Sequence, residues 1–501
     1  MSIPAFIASL APDSTVVLAC SAVAVAVLVH YRGHAVGSSK PTAPSPNALP
    51  LIGNAYSVIK NFDDMLDNQV ELMKATSNKT YALTIPFVPT IYVTQDPINV
   101  EFVLRTQFEN FVKGERFHEV TKDVLGEKGI FNSDGEVWRV QRKLASRIFT
   151  VKNFKDFVGR VFREEAEVLL HSLDAIAEKG DVIDLQDIFF RFTLDSFGKI
   201  GFNADLNCLG NPDPVPFAQA FDSAQTTLHY RFFSSTWKLE EYLFPSQRNM
   251  TQNVHTVRSF ARKIVSARRS DPNAHTYDDL LSLFMREDTT ADSPDDDEHL
   301  VDVVLNFIIA GRDTTAQALS WTIWLLSRNP HAERALLEEI DAVLDADSDL
   351  PSYDQIKLMK YAKAVFSEAL RLYPSVPREA KFAVKDITLP DGTFVPAGST
   401  VSWLPYVMGR CTDIWGEDAA AFKPERWLAM ETLPSPYVYP AFNGGPRLCL
   451  GKSMAELEGV FVLVVLVKRF KVTVVRPDTV KPGNSLTLPI KDGLSVKIER
   501  R

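Results

Sequence analysis

A chain of 501 residues, 46% hydrophobic and 10% aromatic, can bury a large core as one big domain or two fused ones. Its formal net charge of −9 and pI near 5.6 exclude a nucleic-acid surface, which relies on clustered Lys and Arg. Small molecules and membranes are the partners that remain.

At the N terminus, Thr15 to Val29 reads TVVLACSAVAVAVLV without a charge, and Ile3 to Leu10 ahead of it is mostly apolar. Together they approach the ~20 apolar residues that a membrane-spanning helix needs. A cleaved signal peptide carries positive charge ahead of its apolar run, whereas here Arg32 and Lys40 follow it. The reading is an N-terminal membrane anchor over residues 1–31, and positive-inside bias puts the rest of the chain in the cytoplasm. Residues 32–54 are basic and proline-rich: KPTAPSPNALPLIGN, Lys40 to Asn54, places four prolines before Gly53 and reads as a semi-rigid hinge. Residues 55–501 form the globule. On this topology the sequons at Asn78 and Asn249 carry no meaning.

Thr80 to Thr94, TYALTIPFVPTIYVT, is rich in β-formers and reads as a hairpin. So does Phe382 to Trp403, with Asp391-Gly392 as its turn. Most of the remainder has apolar residues at helical spacing. One helix begins after the acidic run DSPDDDEHL, whose carboxylates suit a helix N terminus, and ends at Asn329-Pro330. That run lacks the turn glycine and further ligands of a calcium loop. The fold class is mainly α: a large helical globule with a small β-rich region. Cys20, Cys208, Cys411 and Cys449 share no short spacing, so they form neither a disulfide framework nor a zinc pattern.

Four segments carry chemistry. Within WRVQR, Trp138 to Arg142, and beyond it, Arg139, Lys143 and Arg147 add charge to one helix; they form either a solvated face or a docking patch for an acidic partner. AGRDTT, Ala310 to Thr315, puts a glycine and β-branched residues mid-helix, where propensity falls. There the Thr314 hydroxyl can bond the Ala310 carbonyl, opening a groove that Gly311 leaves unfilled. In EALR, Glu368 and Arg371 are three apart and neighbours on a helix face. In FNGGPRLCLG, Phe442 to Gly451, Cys449 stands at the start of an apolar helix, where free N–H groups and the helix dipole lower a thiol's pKa.

In order and spacing these segments resemble a cytochrome P450, from the proline-rich segment to near the C terminus. The resemblance implies a haem-dependent monooxygenase whose iron is ligated by the Cys449 thiolate. It further implies that Phe442 packs beside the haem, that Gly444, Gly445 and Gly451 let backbone approach it, and that Arg447, Trp138 and Arg142 hold its propionates. By the same resemblance, Thr314 and Asp313 are expected to deliver protons during oxygen activation, Glu368, Arg371 and Arg426 of FKPERW to make a structural ion cluster, and Phe307, Ala310, Gly311, Val376 and Leu488 to line the substrate cavity.

Arg371 to Val401 and Ala310 to Leu326 look like the eukaryotic fatty-acid and alkane ω-hydroxylases, while Phe217 to Arg268, the expected substrate roof, resembles them less. The expectations that follow are ω-hydroxylation of a fatty acid, NADPH-cytochrome P450 reductase and cytochrome b5 as electron donors, and attachment to the endoplasmic reticulum membrane. Lys113 and Arg116 are candidate partners for the substrate carboxylate. The haem is expected to be haem b held without a covalent bond, because Ala310 stands where some animal ω-hydroxylases carry a haem-esterified glutamate. Alkane or sterol hydroxylation, a haem-thiolate isomerase or dehydratase, and a haem-binding sensor are the alternatives; the isomerases tend to lack the groove threonine that Thr314 supplies.

Overall fold

The computed structural model describes residues 14–76, 80–149, 158–211, 213–245, 249–287, 295–344 and 348–501. Ile3 to Leu10, the Asn78 sequon and the first residues of the acidic run, 292–294, lie outside them. Contacts divide the chain into two units, Met1–Thr94 with Ala383–Ser402, and Gln95–Phe382 with Trp403–Arg501.

In the first unit, helix α1 spans Ser14–His30, with Val23, Val25, Leu28 and Val29 exposed along it. Among the described residues no helix is long and apolar enough to cross a membrane. The expected hairpin forms from Thr80–Leu83 and Ile91–Thr94, with Thr80 opposite Thr94 and Leu83 opposite Ile91. The second turn also forms: Ile387 pairs with Val395 around Gly392, whose φ of +88° few side chains tolerate. The proline-rich segment is bonded to this hairpin. Ala82 N–H donates to the Pro44 carbonyl at 2.8 Å, Asn54 N–H to Thr84 O at 2.7 Å, and Thr84 N–H to Asn54 Oδ1 at 2.9 Å. Proline lacks a donor but keeps its carbonyl, and the outer edge of this hairpin uses it.

The second unit is mainly helical. Its elements relevant to the site are α2 (Glu115–Leu125), α3 (Gly135–Ala145), α4 (Gly159–Lys179), α5 (Leu185–Phe202), α6 (Pro216–Phe233) and α7 (Met250–Ser270). They are followed by α8 (Asp295–Ile308), a π-helical turn at Ile309–Asp313, α9 (Thr314–Arg328), α10 (Pro330–Val343), α11 (Lys360–Leu372) and α12 (Lys452–Arg469). The helix expected after the acidic run begins inside it, at Asp295, and α9 ends where Pro330 cannot supply an N–H. Glu298 near its start pairs with Arg262 at 2.6 Å and Arg258 at 2.5 Å, tying α8 to α7. Helix α9 packs against α5, α11 and α12. Residues 458–467 of α12 are wholly buried although five of them are valine, so tertiary burial rather than propensity holds this helix.

Glu458 is the exception on that helix. Its side chain is 2% exposed, Thr315 donates to it, and Oε1 has no partner. Burial pushes its carboxyl from 4.5 up to about 8. A raised acid makes the native state hold a proton that the unfolded chain releases, so stability falls as pH rises from 4.5 through about 8. Thermal melts of wild type and Glu458→Gln should therefore diverge across that window, the variant gaining in relative stability as pH rises. Parallel curves would contradict the assignment.

Candidate active site

Along α8, the π turn and α9, every residue from Leu300 to Leu326 is buried except Ala310, Gly311, Thr314 and Trp324. The first three fall on one face, so a deeply buried rod keeps accessible surface at its middle, apart from Trp324 near its end. The distortion expected there is present. Thr314 Oγ1 donates to Ala310 O at 2.7 Å, and a π turn occupies Ile309–Asp313. Carbonyls that such a turn displaces must find donors elsewhere: Thr193 Oγ1 takes Arg312 O at 2.8 Å and Ser375 Oγ takes Thr314 O at 2.6 Å. One expectation changes. The room a side chain would need at Gly311 is occupied, since a Cβ would lie 2.1 Å from the Phe197 ring. Gly311 is required for α5 to pack closely, and its backbone is what faces the open spot.

Cys449 lies on the loop that leads into α12. Its N–H donates to Phe442 O at 2.9 Å, and Leu448 N–H to Gly445 O at 3.0 Å. Gly445 adopts φ +59°, and a Cβ there would stand 2.3 Å from Leu104 O. The glycine therefore permits a backbone contact with protein, where the sequence suggested contact with a cofactor. Arg142 Nη2 holds Leu448 O at 2.6 Å, bracing the loop from α3. Cys449 keeps accessible surface, yet burial among protein atoms dominates its thiol; both hold for a side chain that faces an internal space. Burial pushes the thiol up, and the Gly451 N–H, Arg142 and Lys452 pull against it without prevailing. The helix-terminus effect expected from sequence is thus present but smaller than desolvation.

Next to this loop stands a cluster of cations that the sequence did not announce. Lys381 is 2% exposed and its Nζ has no hydrogen-bond partner. Burial drives its pKa well below the usual lysine range, with Lys113 and Arg447 adding to the depression and Asp134 and Glu379 opposing it. Arg447 lies 4.1 Å over the Trp138 ring and spends Nη2 on Asp134 at 2.7 Å and Ser133 O at 2.8 Å. Only its Nε lacks a partner. A buried ammonium without a partner, among further cations, calls for an anion. Haem carries two propionates and an iron that takes a thiolate, so this cluster and Cys449 fit it, with Lys381 as an anchor beside Arg447. Lys381→Met should speed haem transfer to a haem-free acceptor protein about ten- to a hundredfold, because a hydrogen bond to a charged group contributes about 1.5–3 kcal/mol. An unchanged rate would remove Lys381 from the site.

The ion cluster is built as expected. Arg371 and Glu368 are fully buried and joined twice, Nε to Oε2 at 2.8 Å and Nη2 to Oε1 at 2.7 Å. Arg371 also donates to the carbonyls of Ala419 at 2.6 Å, Ala421 at 2.9 Å and Gly409, so all its donors are used. Glu368 accepts from Trp427 Nε1 and Lys423 N–H, both at 2.9 Å, and lies 3.5 Å from Arg426 Nε.

The proposed lining divides. Val376, Ala310 and Gly311 keep accessible surface, but Phe307 is 5% and Leu488 1% exposed. The Leu488 backbone is fixed: its N–H donates to Ser375 O and Gln317 Oε1, each at 2.9 Å, and its carbonyl accepts from Trp321 Nε1 at 2.8 Å. Phe307 packs toward Phe284. The carboxylate candidates also fall elsewhere. Arg116 Nη2 caps α6 through the carbonyls of Arg231 at 3.1 Å, Phe232 at 3.0 Å and Ser234 at 3.2 Å. Lys113 belongs to the cation cluster, with its Nζ 4.4 Å over Phe117. On α3, Arg139 pairs with Glu109 at 2.6 Å, which offsets part of the basic face.

A family model described as Cytochrome P450 matches residues 43–496. "Cytochrome P450 704B1" of Arabidopsis thaliana is 36% identical over 91% of this chain and 95% of its own length. "Cytochrome P450 monooxygenase cyp1" of Mycosarcoma maydis is 37% identical over 95% and 78%, and "Cytochrome P450 94A2" of Vicia sativa 35% over 93% and 93%.

Proposed function

The chain belongs to the cytochrome P450 family of haem-thiolate monooxygenases, and on that premise we propose that it hydroxylates a medium or long-chain fatty acid at or near the terminal methyl. The observation that carries this reading is the accessible spot at the middle of a mostly buried rod: Ala310, Gly311 and Thr314, small or apolar, present no charge to a substrate. The resemblance of Arg371–Val401 and Ala310–Leu326 to ω-hydroxylases supports it. Terminal C–H bonds are stronger than internal ones, so terminal attack must come from holding the chain end-on.

Bound haem supplies the activation of oxygen. The chain's own residues do the rest. Cys449 is the thiolate ligand, Arg142 and the Phe442 carbonyl fix its loop, and Lys381 with Arg447 orients the propionates. Thr314, whose hydroxyl rests on Ala310 O, passes protons into the groove, and Asp313 restocks it. Ala310 offers no carboxylate, so the cofactor is haem b held by the thiolate, the propionate contacts and packing, with no ester bond to the chain. Electrons come from NADPH-cytochrome P450 reductase, with cytochrome b5 as a second donor, docking on Arg139 and Lys143 of α3 and on Arg147 just beyond its end. Residues 1–31 attach the protein to the endoplasmic reticulum membrane with the globule in the cytoplasm.

Binding-difference spectra across saturated fatty acids, alkanes and sterols, followed by product analysis with reductase and NADPH, test the substrate. The expected outcome is a spectral shift with fatty acids and a terminal alcohol as main product. Mid-chain products, or turnover of a sterol alone, would end the ω-hydroxylase reading and leave the family assignment standing.

A further inference from the structure

Arg312 sits between Gly311 and Asp313 and is 1% exposed, where an unpaired cation would be strongly destabilising. It is compensated from two sides. Nη1 donates to Asp222 Oδ1 at 2.8 Å and Asp313 Oδ1 at 2.7 Å, Nη2 reaches Asp222 Oδ2 at 3.3 Å, and the guanidinium lies 4.3 Å over the Phe190 ring. The other oxygen of Asp313 accepts from Gln225 Nε2 at 2.6 Å. Asp222 and Gln225 are three apart on α6 and share a face. Asp313 is 1% exposed and Gln225 2%, whereas the Asp222 side chain is 48% exposed. The network therefore runs from solvent to a buried carboxylate one residue from Thr314. Arg312 Nε and Gln225 Oε1, a donor and an acceptor, remain buried without partners within it.

We propose that Asp222 and Gln225 are positioning residues for Asp313, so that the seating of α6 on the π turn sets the orientation and charge of the acid that supplies the Thr314 groove. This rests on reading Asp313 as the acid of the relay. Burial pushes Asp313 up to about 6; Arg312 draws it down, Asp222 pushes it up, and the Gln225 N–H draws it down. From α5, Phe190 and Thr193 face the pair without charge, and the Cys208 thiol beyond them senses Arg312. The two α6 residues thus act on the acid with opposite sign, which packing alone would not do.

The test is an infrared titration of the Asp313 carboxyl band in the full-length haem protein, with Asp313→Asn to assign the band. Gln225→Met should raise its apparent pKa and Asp222→Asn lower it, each by roughly half a unit or more. Amide exchange in Pro216–Phe233 should rise several-fold in both. Asp222→Asn alters a half-exposed side chain and serves if the buried Gln225 variant fails to fold. No movement, or movement of both in one direction, overturns the proposal. Thr314→Ala, run alongside, separates the two ideas. If it diverts no NADPH to hydrogen peroxide, the relay reading fails. If it does while the titration stays fixed, only this inference fails.

Discussion

Cys449→Ala should yield a folded protein whose reduced carbon monoxide complex lacks the thiolate-type spectrum and which turns over no substrate. The loop does not depend on the sulfur. Its fixing contacts are Cys449 N–H to Phe442 O at 2.9 Å and Arg142 to Leu448 O at 2.6 Å, and alanine keeps both. The loop itself offers no second thiolate, because Cys449 is the one cysteine in Phe442 to Gly451. Thiolate ligation supplies the electron density that favours O–O cleavage, so its loss should abolish activity rather than reduce it. Circular dichroism and the carbon monoxide difference spectrum, taken on the same sample, separate ligand loss from unfolding. A variant that retained the thiolate-type spectrum would disprove the ligand assignment.

Arg371→Met should destabilise the fold by about 3–5 kcal/mol, the cost of leaving a buried carboxylate without its partner. Glu368 would keep Trp427 Nε1 and the Lys423 N–H, but Arg426 Nε at 3.5 Å is a poor replacement for two bonds at 2.7 and 2.8 Å. The carbonyls of Gly409, Ala419 and Ala421 would lose their donor as well. Adding Glu368→Gln should recover part of the loss by removing the stranded charge, while the carbonyls stay unpaired. Denaturant unfolding and the yield of haem-containing protein report both effects. A loss within ~0.5 kcal/mol, the range of ordinary surface substitutions, would show that the cluster does not hold this core.

How far the sequence could be read depended on how local the physics was. Thr314 and Ala310 are four apart on one helix, and Glu368 and Arg371 three apart, so their contacts followed from helical geometry alone. Asp391-Gly392 needed only turn chemistry. Lys381 was missed because its meaning depends on which phase of the strand Glu379–Ala383 faces inward, and the alternation in EAKFA does not decide that. Arg312 stands in the motif beside one carboxylate partner, Asp313, but the other, Asp222, stands on α6, far back in the chain. Arg116 was assigned from its place in the sequence, while the carbonyls at the end of α6 claimed it through tertiary packing. The Cys449 thiol shows a competition of magnitudes: sequence revealed the helix terminus that lowers its pKa, and only the fold revealed the burial that outweighs it.

The measurement that bears most directly on the account is turnover of a saturated fatty acid under heavy-isotope oxygen gas, with reductase and NADPH, followed by mass spectrometry of the product. The expected product is a terminal alcohol carrying one heavy oxygen atom, with none arising when only the water is labelled. A product whose oxygen came from water, or one formed without oxygen and NADPH, would contradict it.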